Sequence, residues 1–392
     1  MSESRRFEAS HPWINFSIDT NTFDYELWML LGKAQAQCDF ISGVPLRPDT
    51  ARELHKVYLY KGALATTAIE GNTLTDEEAR DYLEGKLELP PSKEYLGREI
   101  DNIVAAFNRI MELIEQEPEK GCDLSLDNIK IFNEMVLKDL DLMEDVAPGE
   151  IRGHSVLVGR YRGAPAEDCE YLIERLCQWL NDRNFTLGKR YTVASGILKA
   201  ILAHLYFAWI HPFGDGNGRT ARLVELHILL NAGVPSPAAH LLSNHYNLSR
   251  SEYYRQLEYS SKKNTVAEFV KYAVQGLVDG LKEQMQALRE QTKQVAWENY
   301  VHDLFKQKNS KAQIRRRHLA IDLSRAHKPV PLTDLRLLTP RLAAEYSQKN
   351  SKVIYKDYKA LLELDLIRIA DGGIVANIEL IQAFLPFCKN NG

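Results

Sequence analysis

The sequence predicts a mainly α-helical protein with one β-hairpin near its middle and a smaller C-terminal module that mixes helices with a strand pair. Three observations predict it. Apolar residues recur at helical spacing along most of the chain, as in Ile100, Ile103, Val104, Phe107, Met111 and Ile114, which share one face. Val156 to Val158 form a β-branched and apolar cluster between glycines. Charge then changes sign along the chain: residues 301–392 hold 16 Lys and Arg against 9 Asp and Glu, and the remainder holds 33 against 44. A tail at +7 therefore follows a body at −11, which points to a separate C-terminal module.

In chain order, Leu27–Cys38 and Pro48–Tyr60 read as helices, with Pro45 and Pro48 punctuating the loop between them. Lys61–Asn72 has helical spacing and closes at Gly71. Thr75 with Glu78 makes a capping box for a helix to Leu83, Ser92 is placed to cap the long helix that follows, and Ser125 to start another through Leu140. Residues 149–165 form either a hairpin or a connecting loop, and the β-branched cluster favours the hairpin. Asp168–Asn181 and Thr192–Ile210 are helices, the second largely buried, and Gly233 closes the helix after residue 222. Leu241–Tyr254 and a long helix from Val266 to about Gln291 complete the body, with Gly276 and Gly280 permitting close helix contact. In the tail come a helix at 311–326, one opened by Thr339-Pro340, one at 351–364, and strands around Asp371-Gly372-Gly373. The expected division is 1–120, 121–290 and 311–388.

With 392 residues and 45% hydrophobic content, the chain is long enough for two or three packed domains and too apolar for disorder. The richest apolar run carries Lys199 and His204, so no uncharged stretch reaches the roughly 18 residues that a bilayer requires. The first residues have no signal-peptide core. Cys38, Cys122, Cys169, Cys177 and Cys388 are odd in number with no C-x-x-C pair, which argues against a disulfide framework and a zinc knuckle. A reducing cytoplasm and no membrane are the expectation.

The chemistry concentrates at 211–222, His-Pro-Phe-Gly-Asp-Gly-Asn-Gly-Arg-Thr-Ala-Arg, a break between two apolar helices. The N–H groups of Gly216, Asn217 and Gly218 offer a concave nest at the positive end of the second helix, suited to phosphate oxygens. Arg219 and Arg222, three apart, fork from one face onto further phosphates. Asp215 beside an anion site needs a cation between, and Mg²⁺ is the usual mediator. His211, with an ordinary pKa of about 6.5, suits removal of a proton from an attacking hydroxyl. A P-loop is excluded, since no Gly-x-x-x-x-Gly-Lys-(Ser/Thr) occurs. His204, two turns before His211, reads as a core histidine in preference to a metal ligand, and Tyr246, Tyr253 and Tyr254 either border an adenosine or pack in the core.

This stretch resembles the signature of the Fic family, His-x-Phe-x-(Asp/Glu)-Gly-Asn-Gly-Arg-x-x-Arg, with every specified position filled. The resemblance covers about residues 60–290. It implies a Fic-type helical core and transfer of AMP from Mg-ATP to a Ser, Thr or Tyr hydroxyl of a target protein, the chain's own hydroxyls included. It further implies His211 as base, Asp215 on Mg²⁺, Asn217 on the α-phosphate, Arg219 and Arg222 on the β- and γ-phosphates, and Phe213 as a buried anchor. The hairpin then corresponds to a flap that holds the target by strand pairing. Thr66-x-x-x-Glu70-Gly71 matches the inhibitory-helix pattern (Ser/Thr)-x-x-x-Glu-(Gly/Asn) of part of the family, which implies that Glu70 pairs with Arg222 in place of the γ-phosphate. Family members of this layout often pair as dimers. The tail resembles a winged helix-turn-helix domain whose second helix carries Lys352, Lys356 and Lys359, for DNA or for protein contacts. Alternatives to a simple AMP transferase are a Fic enzyme that also removes AMP through water oriented by Glu70, and a DNA-binding regulator whose Fic body senses nucleotide.

Overall fold

The described residues of this computed structural model are 5–381, less positions 47, 117–122, 160, 183, 184, 186, 189, 308, 309 and 327. They fall into two units, Met1–Met285 and Gln286–Gly392. The boundary expected at residue 120 is not a boundary, because Leu27, Ile69, Ile100, Ile201 and Leu277 belong to one continuous hydrophobic core. The next boundary falls earlier than the expected 290, because the last turns of a long helix carry Trp297 and Val301 into a second core.

In the first unit a short helix α1 (Arg6–Ser10) precedes α2 (Tyr25–Gly43), where Asp24 caps by accepting from the Leu27 N–H at 2.8 Å. Helix α3 (Pro48–Ala68) runs through the two helices expected at 48–60 and 61–72 as one. Gly62 does not stop it. The glycine serves instead as the place where the His240 ring lies against the backbone, in space that a methyl group would need. Gly71, at φ +112°, ends the segment as expected. Helix α4 (Asp76–Leu83) opens with the capping box: the Thr75 N–H donates to Glu78 Oε2 at 2.8 Å and the Glu78 N–H to Thr75 Oγ1 at 3.2 Å. Ser92 caps nothing; Pro91–Lys93 forms a 3-10 turn that feeds α5 (Glu94–Gln116). Ser125 caps α6 (Leu126–Leu137) by accepting from the Asn128 N–H at 3.1 Å.

The expected hairpin is present but short: β1 (Leu157–Val158) pairs antiparallel with β2 (Tyr161–Arg162), Leu157 opposite Arg162. Helices α7 (Ala166–Asn181), α8 (Thr192–Ile210), α9 (Asn217–Asn231), α10 (Ser236–Ala239), α11 (Leu241–Leu248), α12 (Arg250–Lys263) and α13 (Ala267–Leu304) follow. The single helix expected over 241–254 breaks at Ser249 (φ −113°, ψ 36°), whose hydroxyl donates to the His245 carbonyl at 2.6 Å beside its own N–H at 3.0 Å. Gly276 and Gly280 do allow close approach, against the His245 ring and Leu241. At the centre lies α8, with sixteen of its nineteen residues buried. It is long and apolar enough to cross a membrane, yet 89% of that stretch is buried inside this unit, which accounts for its composition. Cys38, Cys169 and Cys177 are free and buried, and burial raises their thiols to about 12, 11 and 12, which makes them inert. Cys122 and Cys388 lie outside the described residues.

The second unit contains α14 (Lys311–Ser324), α15 (Pro340–Tyr346), α16 (Ser351–Glu363) and a hairpin of β3 (Ile367–Ala370) and β4 (Gly373–Ala376). Asp357 of α16 accepts from Arg315 Nε at 2.7 Å, Arg316 Nε at 2.8 Å and the Tyr346 hydroxyl at 3.0 Å, which ties the three helices together. Lys352, Tyr355, Lys356 and Lys359 stand exposed on the other face of α16.

Candidate active site

Helix α8 ends at His211, which adopts a left-handed conformation (φ 52°, ψ 63°) while its N–H still donates to the Phe207 carbonyl at 2.9 Å. The chain turns again at Gly216 (φ 72°), and α9 starts at Asn217. A histidine in left-handed geometry is strained by about 1–3 kcal/mol and persists only where its surroundings over-determine it. Here they do. Phe213 is buried and bridges to Ile151, the Asn217 amide accepts from the Phe213 N–H at 2.9 Å and donates to its carbonyl at 2.8 Å, and the buried Asn133 donates to the Asp215 carbonyl at 3.0 Å. The side chain expected on the α-phosphate is thus first a strut of the loop, with its second amide hydrogen left to donate.

Arg152 contributes most to holding His211. Its Nε donates to the His211 carbonyl at 2.7 Å, its NH1 to the His154 carbonyl and its NH2 to the Ala164 carbonyl, while its own N–H donates to the Pro212 carbonyl at 3.0 Å. One guanidinium therefore joins the base of the hairpin to the loop. Replacing it with Met leaves several buried carbonyls without donors, and Arg152→Met is expected to destabilise the protein by about 2–4 kcal/mol, read as a lowered thermal midpoint.

The His211 ring is pushed down to about 4 by burial, with the Arg152 charge adding to the effect. At neutral pH it is therefore an uncharged base.

The two motif arginines are both engaged. Arg222 NH2 donates to Glu70 Oε1 at 2.6 Å and to the Thr66 carbonyl at 2.8 Å, so Thr66 takes part through its main chain. Among the described residues Arg222 Nε and NH1 are buried without partners. A methyl group at Gly218 would overlap the Glu70 carboxylate, which means that this carboxylate lies directly over the first turn of α9. Glu70 is thus the anion at the helix N-terminus. Burial opposes its charge, but the Arg222 guanidinium, with Arg219 beside it, outweighs burial and holds the carboxyl below its ordinary range. Arg219 meets Glu99, NH1 to Oε1 at 2.8 Å, and Glu99 also accepts from Asn72 Nδ2 at 3.0 Å. The end of the Glu70 segment therefore reaches both arginines, one directly and one through Glu99.

Beside this cluster opens a cavity of about 1030 Å³ lined by Glu70, His211, Gly218, Tyr161, Tyr253 and Tyr254 among others. Tyr246, expected to border a nucleotide, is not there: it is wholly buried, with its hydroxyl donating to Glu225 Oε1 at 2.9 Å. Asp215 is half exposed, accepts from the Gly216 N–H at 2.5 Å and lies 3.6 Å from Arg219. Among the described residues no group of three or more His, Cys, Asp or Glu could itself hold a metal ion. A lone open carboxylate fits a cation that arrives mostly ligated by phosphate and water.

A family model described as Fic/DOC matches residues 123–229, the segment that carries this loop and the hairpin. Residues 123–229 thus carry the similarity to the Fic/DOC family. Protein adenylyltransferase fic-1 of Caenorhabditis elegans is 31% identical over 222 residues, 56% of this chain and 39% of that protein. Protein adenylyltransferase Fic of Drosophila melanogaster is 29% identical over 199 residues, 50% of this chain and 37% of that protein. The chain thus spans about two-fifths of the length of the curated relatives it matches. Among solved structures, a Fic family protein from Desulfovibrio desulfuricans has the same fold over 90% of this chain and 93% of its own, at 19% identity and a TM-score of 0.57. Residues 134–508 of C. elegans Fic-1 align over 67% of this chain and 73% of that one, at 25% identity and a TM-score of 0.54.

Four residues that brace this loop and the cavity beside it escaped sequence reasoning: Glu99, Asn133, Arg152 and Glu225. Only Glu225 left a trace, as a carboxylate inside the apolar run Leu223–Leu230. The others sit on ordinary polar positions whose partners are far along the chain.

Proposed function

We propose that this protein transfers AMP from ATP to hydroxyl groups of protein side chains, and that Glu70 holds the enzyme in check. The observation that carries the reading is the Glu70 carboxylate seated on the N-terminus of α9 and on Arg222, beside an uncharged imidazole. An anion cradle filled by a side chain is a site for a ligand anion, and the carboxylate stands where a terminal phosphate would bind. The names of the relatives, protein adenylyltransferases, support the same chemistry.

In the transfer, a target hydroxyl gives its proton to the His211 ring as its oxygen bonds to the α-phosphorus; the bond from that phosphorus to the bridging oxygen breaks and pyrophosphate leaves. Arg219 and Arg222 orient the departing phosphates, and the N–H groups of Asn217 and Gly218 face the developing charge, the Gly216 N–H being taken by Asp215. Asp215 would hold Mg²⁺, which when bound neutralises phosphate charge. The hairpin edge at Leu157–Val158, exposed on both residues, suits main-chain pairing with the target segment.

Incubation of cell extract with Mg-ATP and the Glu70→Gly protein is expected to add an adenylyl group to protein side chains, detected by mass spectrometry. No adduct, or an adduct other than AMP, overturns the reading.

The pH profile tests the base. An ordinary histidine titrates at 6.5, whereas burial pushes His211 down to about 4. The ring accepts a proton only above its pKa, so kcat/KM of the Glu70→Gly protein is expected to stay level from about pH 8 to about pH 5.5 and to fall below that. The limb in kcat lies higher, because bound phosphates favour the protonated ring.

A further inference from the structure

We propose that Glu225 and His204 are positioning residues for the nucleotide site, holding the Tyr253 wall from behind; the inference rests on the adenylyl-transfer reading. Four side chains from four helices close a ring. The Tyr246 hydroxyl donates to Glu225 Oε1 at 2.9 Å, Glu225 Oε2 lies 3.7 Å from His204 Nδ1, and His204 Nε2 lies 2.9 Å from the Tyr253 hydroxyl. Tyr246 and Tyr253 then stack at 4.9 Å and 27°. All four are at most 4% exposed, yet Tyr253 is also part of the cavity wall.

Packing alone does not explain this choice. Leu or Phe would fill the space without the cost of burying a carboxyl and an imidazole. Nor is the cluster satisfied within itself: among the described residues His204 Nδ1, Arg222 Nε and Arg222 NH1 are buried without partners.

Protonation gives the chain a direction. Burial raises Glu225 to about 8, so near neutrality it is mostly a carboxylic acid, while burial pushes His204 down to about 3 and keeps it uncharged. The acid proton of Glu225 faces the unpartnered His204 Nδ1, which leaves the imidazole hydrogen on Nε2, directed at the Tyr253 oxygen. The tyrosine is thereby fixed in ring orientation from two sides, by the imidazole and by the Tyr246 stack.

The test uses the full chain in the Glu70→Gly background, with ATP affinity measured by calorimetry and KM and kcat by label transfer. Tyr253→Phe and His204→Leu are each expected to weaken ATP binding and raise KM about tenfold with kcat within about twofold, and the double variant to be no worse than either alone. Glu225→Leu is expected to do the same, and Glu225→Gln to restore most of that loss, because its amide accepts from Tyr246 and donates to His204. If Glu225→Leu does not fold, Tyr253→Phe, which removes one oxygen atom, still decides. Unchanged ATP affinity in folded Tyr253→Phe, additive losses in the double variant, or no rescue by Glu225→Gln overturns the inference. A parent protein that binds no ATP instead overturns the adenylyl-transfer reading. Nitrogen NMR of His204 then reports on the pair without nucleotide: an Nε2–H tautomer supports the pair and an Nδ1–H tautomer overturns it.

Discussion

The Glu70→Gly protein is expected to transfer AMP about ten- to a hundred-fold faster than the unsubstituted chain, since a hydrogen bond to a charged group contributes about 1.5–3 kcal/mol and each 1.4 kcal/mol is tenfold. The increase follows from two features of one carboxylate. Glu70 satisfies an Arg222 nitrogen at 2.6 Å, and it fills the space above Gly218. Deleting the side chain frees both, so a triphosphate no longer has to displace a bound anion. Gly suits the position because it sits at the end of α3, just before Gly71 turns the chain, where helix propensity matters little. The rate is measured as labelled AMP on protein from labelled ATP. Equal labelling by both proteins would eliminate the brake, though not the transfer. The same variant given an already modified target separates the reading in which Glu70 also orients water: removal of AMP should then be lost as transfer rises.

His211→Ala in that activated background is expected to lower kcat about 10²–10⁴-fold, the usual contribution of a positioned general base. Binding of ATP should survive, because the cradle and the arginines belong to α9 and not to the histidine. A loss of binding together with rate would show that His211 acts by shaping the loop. That alternative has a structural basis, since the left-handed turn at His211 is what re-aims the chain toward α9. Calorimetric ATP affinity beside the rate therefore decides between base and strut.

The short-range parts of the fold were legible. Thr75 with Glu78, Ser125, Thr339-Pro340 and Gly71 act on backbone groups within a few residues, and each capped or stopped its helix where expected. Errors came where a local signal was overridden. Helix α3 ran on past Tyr60, where two helices were expected, and the helix expected through Tyr254 broke at Ser249, whose backbone leaves helical geometry (φ −113°, ψ 36°). Tyr246 was misplaced for a related reason: an aromatic ring reads alike whether it faces a ligand or a carboxyl in the core.

The glycine-rich loop, His211 and Glu70 are legible in short runs of sequence, because a turn that leads into a helix N-terminus depends on glycine and helix register over a dozen residues. Pairings across the chain are another matter. Arg219 finds Glu99 at a separation of 120 residues, Arg152 reaches the His211 carbonyl across 59, and Glu70 meets Arg222 across 152. Nothing in the local spacing selects these partners. Packing of α3, α5, α8 and α9 brings them together, and burial then sets their charge states, lowering His211 and raising Glu225 by the same loss of water.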